Sequence, residues 1–126
     1  MQENAVRPVP LADVIVGRES EEMCLLARLF NGFANSTRLS ILLLLAQRGE
    51  MKVGELVSEL EAPQPRVSDH LRCLSSCGYV DVRREGRNAY YSVSDDRILT
   101  IMSLGEELLR DNYDLVLDCE SVKKDC

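Results

Sequence analysis

Residues 61–91 read EAPQPRVSDHLRCLSSCGYVDVRREGRNAYY, and this stretch decides the fold. Within it, Val67, Leu71 and Leu74 stand at the i, i+4, i+7 spacing that places side chains on one buried face of a helix. Two prolines precede this face, where a helix can start, and Gly78 follows it, where a helix must stop. The spacing therefore predicts a short helix with one apolar face and a polar outer face.

A helix-turn-helix followed by a β-hairpin is predicted around that helix, which we place at residues 63–77. Residues 79–82 alternate as a strand, residues 85–88 form a turn, and residues 89–93 return as the second strand. A shorter helix over residues 53–60 precedes a brief turn that contains proline, and two such helices make a helix-turn-helix. The hairpin then has the place of a wing.

Three further helices are predicted outside this stretch. The first runs from a cap at Ser20 to Phe33. The second runs over residues 38–48 and is apolar nearly all round, which is typical of the central helix of a domain. The third begins at Asp95 or Asp96, continues to about Asp118 and carries a broad apolar stripe that we expect to pack against a second copy of the chain.

The predicted fold is therefore mainly α with a β-hairpin wing, a winged helix-turn-helix that forms a homodimer through its N- and C-terminal helices. Residues 1–18 form an N-terminal arm, residues 19–118 the DNA-binding and dimerisation domain, and residues 119–126 a C-terminal tail. A chain of 126 residues supports one domain with a modest core, which association with a second copy would enlarge.

The net charge of −6 argues at first against a nucleic-acid partner, but the charges are unevenly distributed. Between Ala62 and Val93, five arginines stand against three acidic residues, a local balance of +2. From Ser94 onward, nine acidic residues stand against four basic ones, a balance of −5. The middle of the chain can therefore face DNA phosphates while the tail faces water or a partner.

Several function classes are disfavoured by what the sequence lacks. No apolar run approaches the roughly 18 residues of a membrane span, and no signal peptide is indicated, so we expect a cytoplasmic protein without a membrane partner. There is no Ser/His/Asp set, no phosphate-binding loop and no paired carboxylates, so we do not expect an enzyme.

Operator DNA is the predicted partner, because polar and basic side chains line the second helix of the helix-turn-helix and the hairpin. Such a helix enters the major groove, and wing arginines follow the minor groove or its phosphates. Asp69 would repel the DNA backbone unless it accepts a hydrogen bond from a cytosine amine or orients an arginine. The candidate DNA-binding residues are Gln64, Arg66, Ser68, His70, Arg72, Arg83, Arg84 and Arg87.

A thiol pair lies on the same helix as the DNA-reading residues. Cys73 and Cys77 are separated by one helical turn, which brings their Cβ atoms to roughly 5–6 Å. A helical wheel places both outside the buried face, so we expect them to bind a soft metal ion rather than to fill the core. Of the five cysteines, we expect Cys24 to be a buried thiol and Cys126 to lie in the tail as a possible fourth sulfur.

The residues resemble the ArsR/SmtB family of winged-helix repressors. The resemblance rests on Asn-Ser-Thr-Arg-Leu-Ser-Ile-Leu at 35–42, Val-Ser-Asp-His-Leu at 67–71, Arg-Glu-Gly-Arg at 84–87 and the tyrosine pair at 90–91. Within the family, Leu-Arg-Cys-Leu-Ser-Ser-Cys-Gly at 71–78 is similar to the CmtR-type cadmium and lead sensors. The histidine-based zinc site of the final helix in another branch is absent, because His70 is the only histidine.

The resemblance implies a mechanism and a third ligand. Cys73 and Cys77 would match two metal-binding thiolates, and Cys119 would match a third that the other subunit supplies. The family implies a homodimer that binds operator DNA without metal and releases it when Cd(II) or Pb(II) binds, with As(III) or Zn(II) as other possible ions. Two alternatives stay open: a repressor that responds to arsenite or to thiol oxidation through the same cysteines, and a winged-helix protein-interaction module without a DNA target.

Overall fold

The computed structural model describes Val16 and residues 20–119, which fall into two compact units that meet between Ala34 and Asn35. The predicted arm therefore lies outside the described residues, apart from Val16. The elements in chain order are α1 (Glu21–Asn31), α2 (Ser36–Arg48), α3 (Val53–Leu60), α4 (Gln64–Ser76), β1 (Val80–Glu85), β2 (Asn88–Val93), α5 (Asp96–Asp111) and α6 (Tyr113–Leu117).

Helix α2 supplies the centre of the core of the second unit. Its N-terminus is capped by Asn35, whose side-chain oxygen accepts a hydrogen bond of 3.0 Å from the backbone N–H of Arg38. Ile41, Leu42 and Leu45 of this helix are at most 1% exposed. The prediction of a central helix is confirmed, although one side of α2 stays open in the single chain.

Helices α3 and α4 form the predicted helix-turn-helix. Helix α3 ends at Glu61, which takes a left-handed conformation with φ of 51°, and Pro63 then caps α4. Val67, Leu71 and Leu74 are the buried residues of α4, as their spacing predicted. Burying this face fixes which side of α4 points outward.

The wing is an antiparallel pair of strands whose register aligns Val80 with Val93 and Glu85 with Asn88. The turn is shorter than predicted, with two residues, and begins at Gly86 with φ of 62°. Glycine at the first central position is typical of the type II′ turns that suit the twist of a hairpin. The hairpin is confirmed, and its first strand is longer than its pattern indicated.

A third short strand segment, not predicted, joins the wing. Met51, in the loop between α2 and α3, exchanges two backbone hydrogen bonds with Tyr91 at 3.0 and 2.9 Å. Met51 is also 2% exposed and belongs to the core. The wing is therefore anchored through backbone atoms to the loop between α2 and α3.

The predicted long final helix is interrupted. Asn112 has a φ of −124° and separates α5 from α6, and its side-chain amide donates a hydrogen bond of 2.9 Å to the carbonyl of Leu108. The backbone N–H of Asn112 bonds the same carbonyl at 3.1 Å, so both donors of this residue close the last turn of α5. Leu104, Leu108 and Leu115 remain 55%, 64% and 73% exposed, so the apolar stripe is open in the single chain.

Helix α1 begins as predicted and ends two residues earlier, at Asn31. The hydroxyl of Ser20 accepts a hydrogen bond of 3.3 Å from the backbone N–H of Met23. Cys24 is exposed, so the prediction of a buried thiol was wrong. The physical reason is that no residue of α1 is buried in the single chain. Among the described residues, no single helix is long and apolar enough to cross a membrane, and only α1 and α2 taken together reach that length and composition.

Candidate nucleic-acid interface and thiol pair

The outer face of α4 carries the predicted DNA-reading residues. Gln64, Arg66 and Arg72 are exposed, and Ser68 and His70 are partly exposed. The opposite face is anchored in the core, so the helix presents these side chains on a rigid support. This is the arrangement that a recognition helix needs to insert into a major groove.

Asp69 and Arg72 form an ion pair on this outer face. The Arg72 guanidinium donates to the Asp69 carboxylate at 3.0 Å, and the two side chains are 70–74% exposed. Exposed pairs of this kind contribute little to stability. The carboxylate instead orients Arg72, which is the condition under which we expected an acidic residue to be compatible with this face.

His70 is held in its neutral form by its surroundings. Partial burial lowers the pKa of the imidazole below its ordinary value of 6.5, and the nearby positive charges of Arg38 and Arg66 lower it further, against a smaller opposite effect of Asp69. At neutral pH, His70 therefore has one N–H to donate and no charge for a phosphate. Arg38, on α2, was not selected by the sequence analysis because only the packing brings it near α4.

We expect the free energy of unfolding to fall as the pH decreases through about 6.5. A histidine whose pKa is lowered by folding binds its proton first in the unfolded chain, so stability is complete above pH 6.5 and decreases until the pKa of the folded state is reached. Urea denaturation at a series of pH values between 5 and 7.5 measures this. His70→Gln should flatten the decrease, and an equal decrease in that variant would contradict the assignment.

Cys73 and Cys77 are both exposed, so neither is sealed in the core. The backbone N–H of Cys77 donates to the carbonyl of Cys73 at 3.0 Å, which confirms that one helical turn separates them. Cys77 is the residue that ends α4. No disulfide joins the four cysteines in the described ranges, and all four are free thiols. The thiol pair is accessible to an ion from solvent.

Tyr79 lies beside the thiol pair and was missed by the sequence analysis. It is 5% exposed, and burial raises the pKa of its hydroxyl. Negative charge on Cys77 and Cys73 raises that pKa further, while Arg38 opposes the change. The exposed thiol pair therefore stands at the margin of the core, next to the buried Tyr79.

Ser94 connects the end of α4 to the start of α5. Its backbone N–H donates to the carbonyl of Tyr79 at 3.0 Å, and its hydroxyl donates to the carbonyl of Gly78 at 2.6 Å. The next residue, Asp95, caps α5 through the backbone N–H of Arg97. Two hydrogen bonds therefore join the segment that follows α4 to the residue before the cap of α5.

Cys119 is exposed and lies two residues beyond the end of α6. Within the part of the chain that the structure describes, no group of three or more His, Cys, Asp and Glu side chains could hold a metal ion. The described residues of one chain therefore do not bring Cys119 together with Cys73 and Cys77. Cys126 lies outside the described residues.

The three arginines of the wing have different surroundings. Arg84 and Arg87 are exposed and form no ion pair with any residue in the described ranges. Arg83 is bound to two carboxylates, those of Glu50 and Glu85. Arg87 also shares the lining of a shallow cavity with Lys52, a further cation near the wing turn that the sequence analysis did not select.

A helix-turn-helix with an open polar outer face, followed by a two-stranded wing that carries free arginines, defines a winged-helix DNA-binding protein. The family model for bacterial regulatory proteins of the arsR family matches residues 35–82, which run from the cap of α2 into β1. The chain belongs to this family. It is a DNA-binding transcriptional regulator and not an enzyme.

Known relatives support the same family. An uncharacterized HTH-type transcriptional regulator of Methanocaldococcus jannaschii is 44% identical over 82 residues, which cover 65% of this chain and 92% of the relative. A probable mercury resistance operon repressor of Streptomyces lividans is 44% identical over 93 residues, which cover 74% and 73%. The homodimeric winged helix-turn-helix domain of a possible ArsR-family regulator from Mycobacterium bovis superimposes with a TM-score of 0.61 at 32% identity, covering 78% of this chain and 92% of that domain.

Proposed function

We propose that this regulator is a cytoplasmic, metal-responsive repressor that binds operator DNA as a metal-free homodimer. A soft, thiophilic ion, Cd(II) or Pb(II), binds Cys73, Cys77 and Cys119 of the partner subunit, and the DNA is then released. The observation that carries the proposal is the exposure of the thiol pair on α4, the same helix that presents the DNA-reading residues.

The donor set suits a soft ion. Two thiolates one helical turn apart can bind one ion through metal–sulfur bonds of about 2.3 Å or slightly longer. Sulfur ligands favour soft ions over Mg(II) or Ca(II). With two ligands from one chain, the site is incomplete, and a third thiolate would complete a three-sulfur site. Cys119 suits this role because it follows the apolar stripe of α5 and α6, where we expect the second subunit.

The dimer is supported by the open apolar surface of α5 and α6. Leu104, Leu108, Leu115 and Leu117 remain more than half exposed, and large exposed apolar surfaces are uncommon unless a partner covers them. The Mycobacterium bovis domain is homodimeric by its description. In a homodimer, the two α4 helices would enter successive major grooves, and the dimer geometry would set the half-site spacing.

The proposed DNA-binding residues fall into those that suit base edges and those that suit phosphates. Gln64, Arg66 and Ser68, at the start of α4, suit base edges and nearby phosphates, and His70 adds one neutral N–H. Arg72, with Arg84 and Arg87 from the wing, suits phosphates. An ion that ties α4 to the partner's C-terminal segment would change the spacing of the two reading helices. Metal and DNA would then disfavour each other, and this coupling is reciprocal.

Titration of cadmium chloride into a protein–DNA complex tests the proposal. The probe is a fluorescein-labelled duplex selected from a random pool by the metal-free protein, and the measurement is its anisotropy. We expect the affinity for DNA to fall by about 5–150-fold at saturating cadmium, the range of typical allosteric coupling. An affinity for DNA that does not change at saturating cadmium would show that the metal does not control DNA binding. Binding without steep salt dependence would instead favour a protein-interaction module, because phosphate contacts release counterions.

The identity of the ion is tested in the same assay. The Streptomyces lividans relative is a probable mercury resistance repressor, and mercury also binds thiolates. Cadmium, lead, mercury and arsenite are compared at equal free concentration, with zinc as a harder ion. Release by an oxidant alone, with a mass loss of two hydrogens for each disulfide, would identify a thiol-oxidation sensor instead.

A further inference from the structure

The Arg83 guanidinium has every nitrogen engaged. Its Nε and Nη2 donate to the two oxygens of Glu50 at 3.0 and 2.9 Å, and its Nη1 donates to Glu85 at 2.7 Å. The guanidinium also lies 4.5 Å from the centre of the Tyr90 ring. A two-point pair with a carboxylate, together with stacking on an aromatic ring, is a geometry that arginine makes and lysine cannot reproduce.

These contacts join two separate parts of the second unit. Glu50 lies in the loop between α2 and α3, while Glu85 and Tyr90 belong to the wing. The residue after Glu50 is Met51, which bridges to Tyr91 through two backbone hydrogen bonds. The Arg83 side chain therefore fastens the wing to the same loop that the backbone bridge holds.

We propose that Arg83 is a positioning residue that holds the wing in its DNA-binding orientation, and that Arg84 and Arg87 are the wing arginines that contact phosphate. Three of the five N–H groups of Arg83 already bond carboxylates, and the negative charges of Glu50 and Glu85 beside it oppose the approach of a phosphate. The pairing with Glu50 and Glu85 raises the pKa of Arg83, and the hydrogen bonds from Arg83 lower the pKa of Glu50, so this ion pair persists at neutral pH. This role depends on the DNA binding that family membership establishes. It does not depend on which ion is the inducer.

The variant Glu50→Gln distinguishes a phosphate-contacting Arg83 from a positioning Arg83, because the two roles predict opposite changes in affinity for DNA. If Arg83 contacted phosphate, removing a competing carboxylate would free it and strengthen DNA binding. If Arg83 positions the wing, losing the two-point pair weakens DNA binding although a negative charge has been removed. We expect affinity for the selected duplex to fall about two- to fivefold, in keeping with an exposed ion pair. An equal or higher affinity in Glu50→Gln overturns the proposal.

Two further measurements exclude a general loss of stability and a simple charge effect. Amide hydrogen exchange of the DNA-free protein should become faster at Tyr91 in Glu50→Gln and in Arg83→Lys, while the amide of Leu42 in the core stays protected. Glu59→Gln is the matched control. Glu59, on α3, forms an ion pair of 2.9 Å with Arg48, and its replacement by glutamine removes the same negative charge. Unchanged exchange at Tyr91 in Arg83→Lys, or full DNA affinity in that variant, overturns the positioning role.

Discussion

Replacing Cys73 with serine is expected to abolish the release of DNA by cadmium while leaving the affinity of the metal-free protein for DNA unchanged. Serine keeps the size and the exposed position of the side chain but removes a thiolate that a soft ion requires. Because Cys73 lies away from the buried face of α4, the helix should fold normally. Saturating cadmium should lower the DNA affinity of the unaltered protein by about 5–150-fold and leave that of Cys73→Ser unchanged.

Anisotropy with and without cadmium measures this change, and thiolate–metal absorption in the ultraviolet reports the ligands directly. Cys24→Ser is the matched control, since Cys24 is also an exposed thiol but lies on α1 and is not proposed as a ligand. Release by cadmium should persist in that control. Full stoichiometric absorption in Cys73→Ser would clear Cys73 of a metal-binding role.

Leu42→Ala is expected to have the largest effect on stability. Leu42 is 0% exposed at the centre of α2, and truncating such a leucine removes buried methyl groups and leaves a cavity. The free energy of unfolding should fall by about 2–5 kcal/mol. That loss is a large part of the roughly 5–15 kcal/mol typical of a whole domain.

Urea denaturation at one fixed protein concentration gives this value, because the stability of a dimer depends on concentration. The neighbouring substitution Leu43→Ala makes the same chemical change at a side chain that is 50% exposed. We expect it to cost under about 1 kcal/mol, in proportion to the smaller area removed from water. Equal losses in the two variants would show that the open side of α2 is covered in the assembled protein.

Much of the site could be predicted from the sequence because its geometry is local. The spacing of Val67, Leu71 and Leu74 determines the buried face of α4, and the same helical period places Cys73 and Cys77 outside it. These features depend on neighbours within two helical turns, and backbone periodicity governs such distances.

The sequence could not predict the outcome at positions where one local structural preference opposes another. Continuous apolar spacing indicated one helix to about Asp118, but the backbone of Asn112 leaves the helical conformation with a φ of −124°, and α5 ends there. Cys24 stands beside apolar residues, which favoured burial, but α1 buries none of its residues in the single chain. In both cases, the outcome depends on contacts that a pattern of apolar residues does not contain.

The sequence by itself determined the order of the elements from α1 to the start of α5, the outer face of α4 and the exposure of its thiol pair, because each depends on near neighbours along the chain. Only the tertiary structure decided the role of Arg83, whose partner Glu50 is 33 positions away, and the anchoring of the wing through Met51 and Tyr91. It also decided that the described residues of one chain do not bring Cys119 together with the pair on α4. The physical reason is that pairing between distant segments is chosen by the packed core as a whole, and residue type at either end does not specify it.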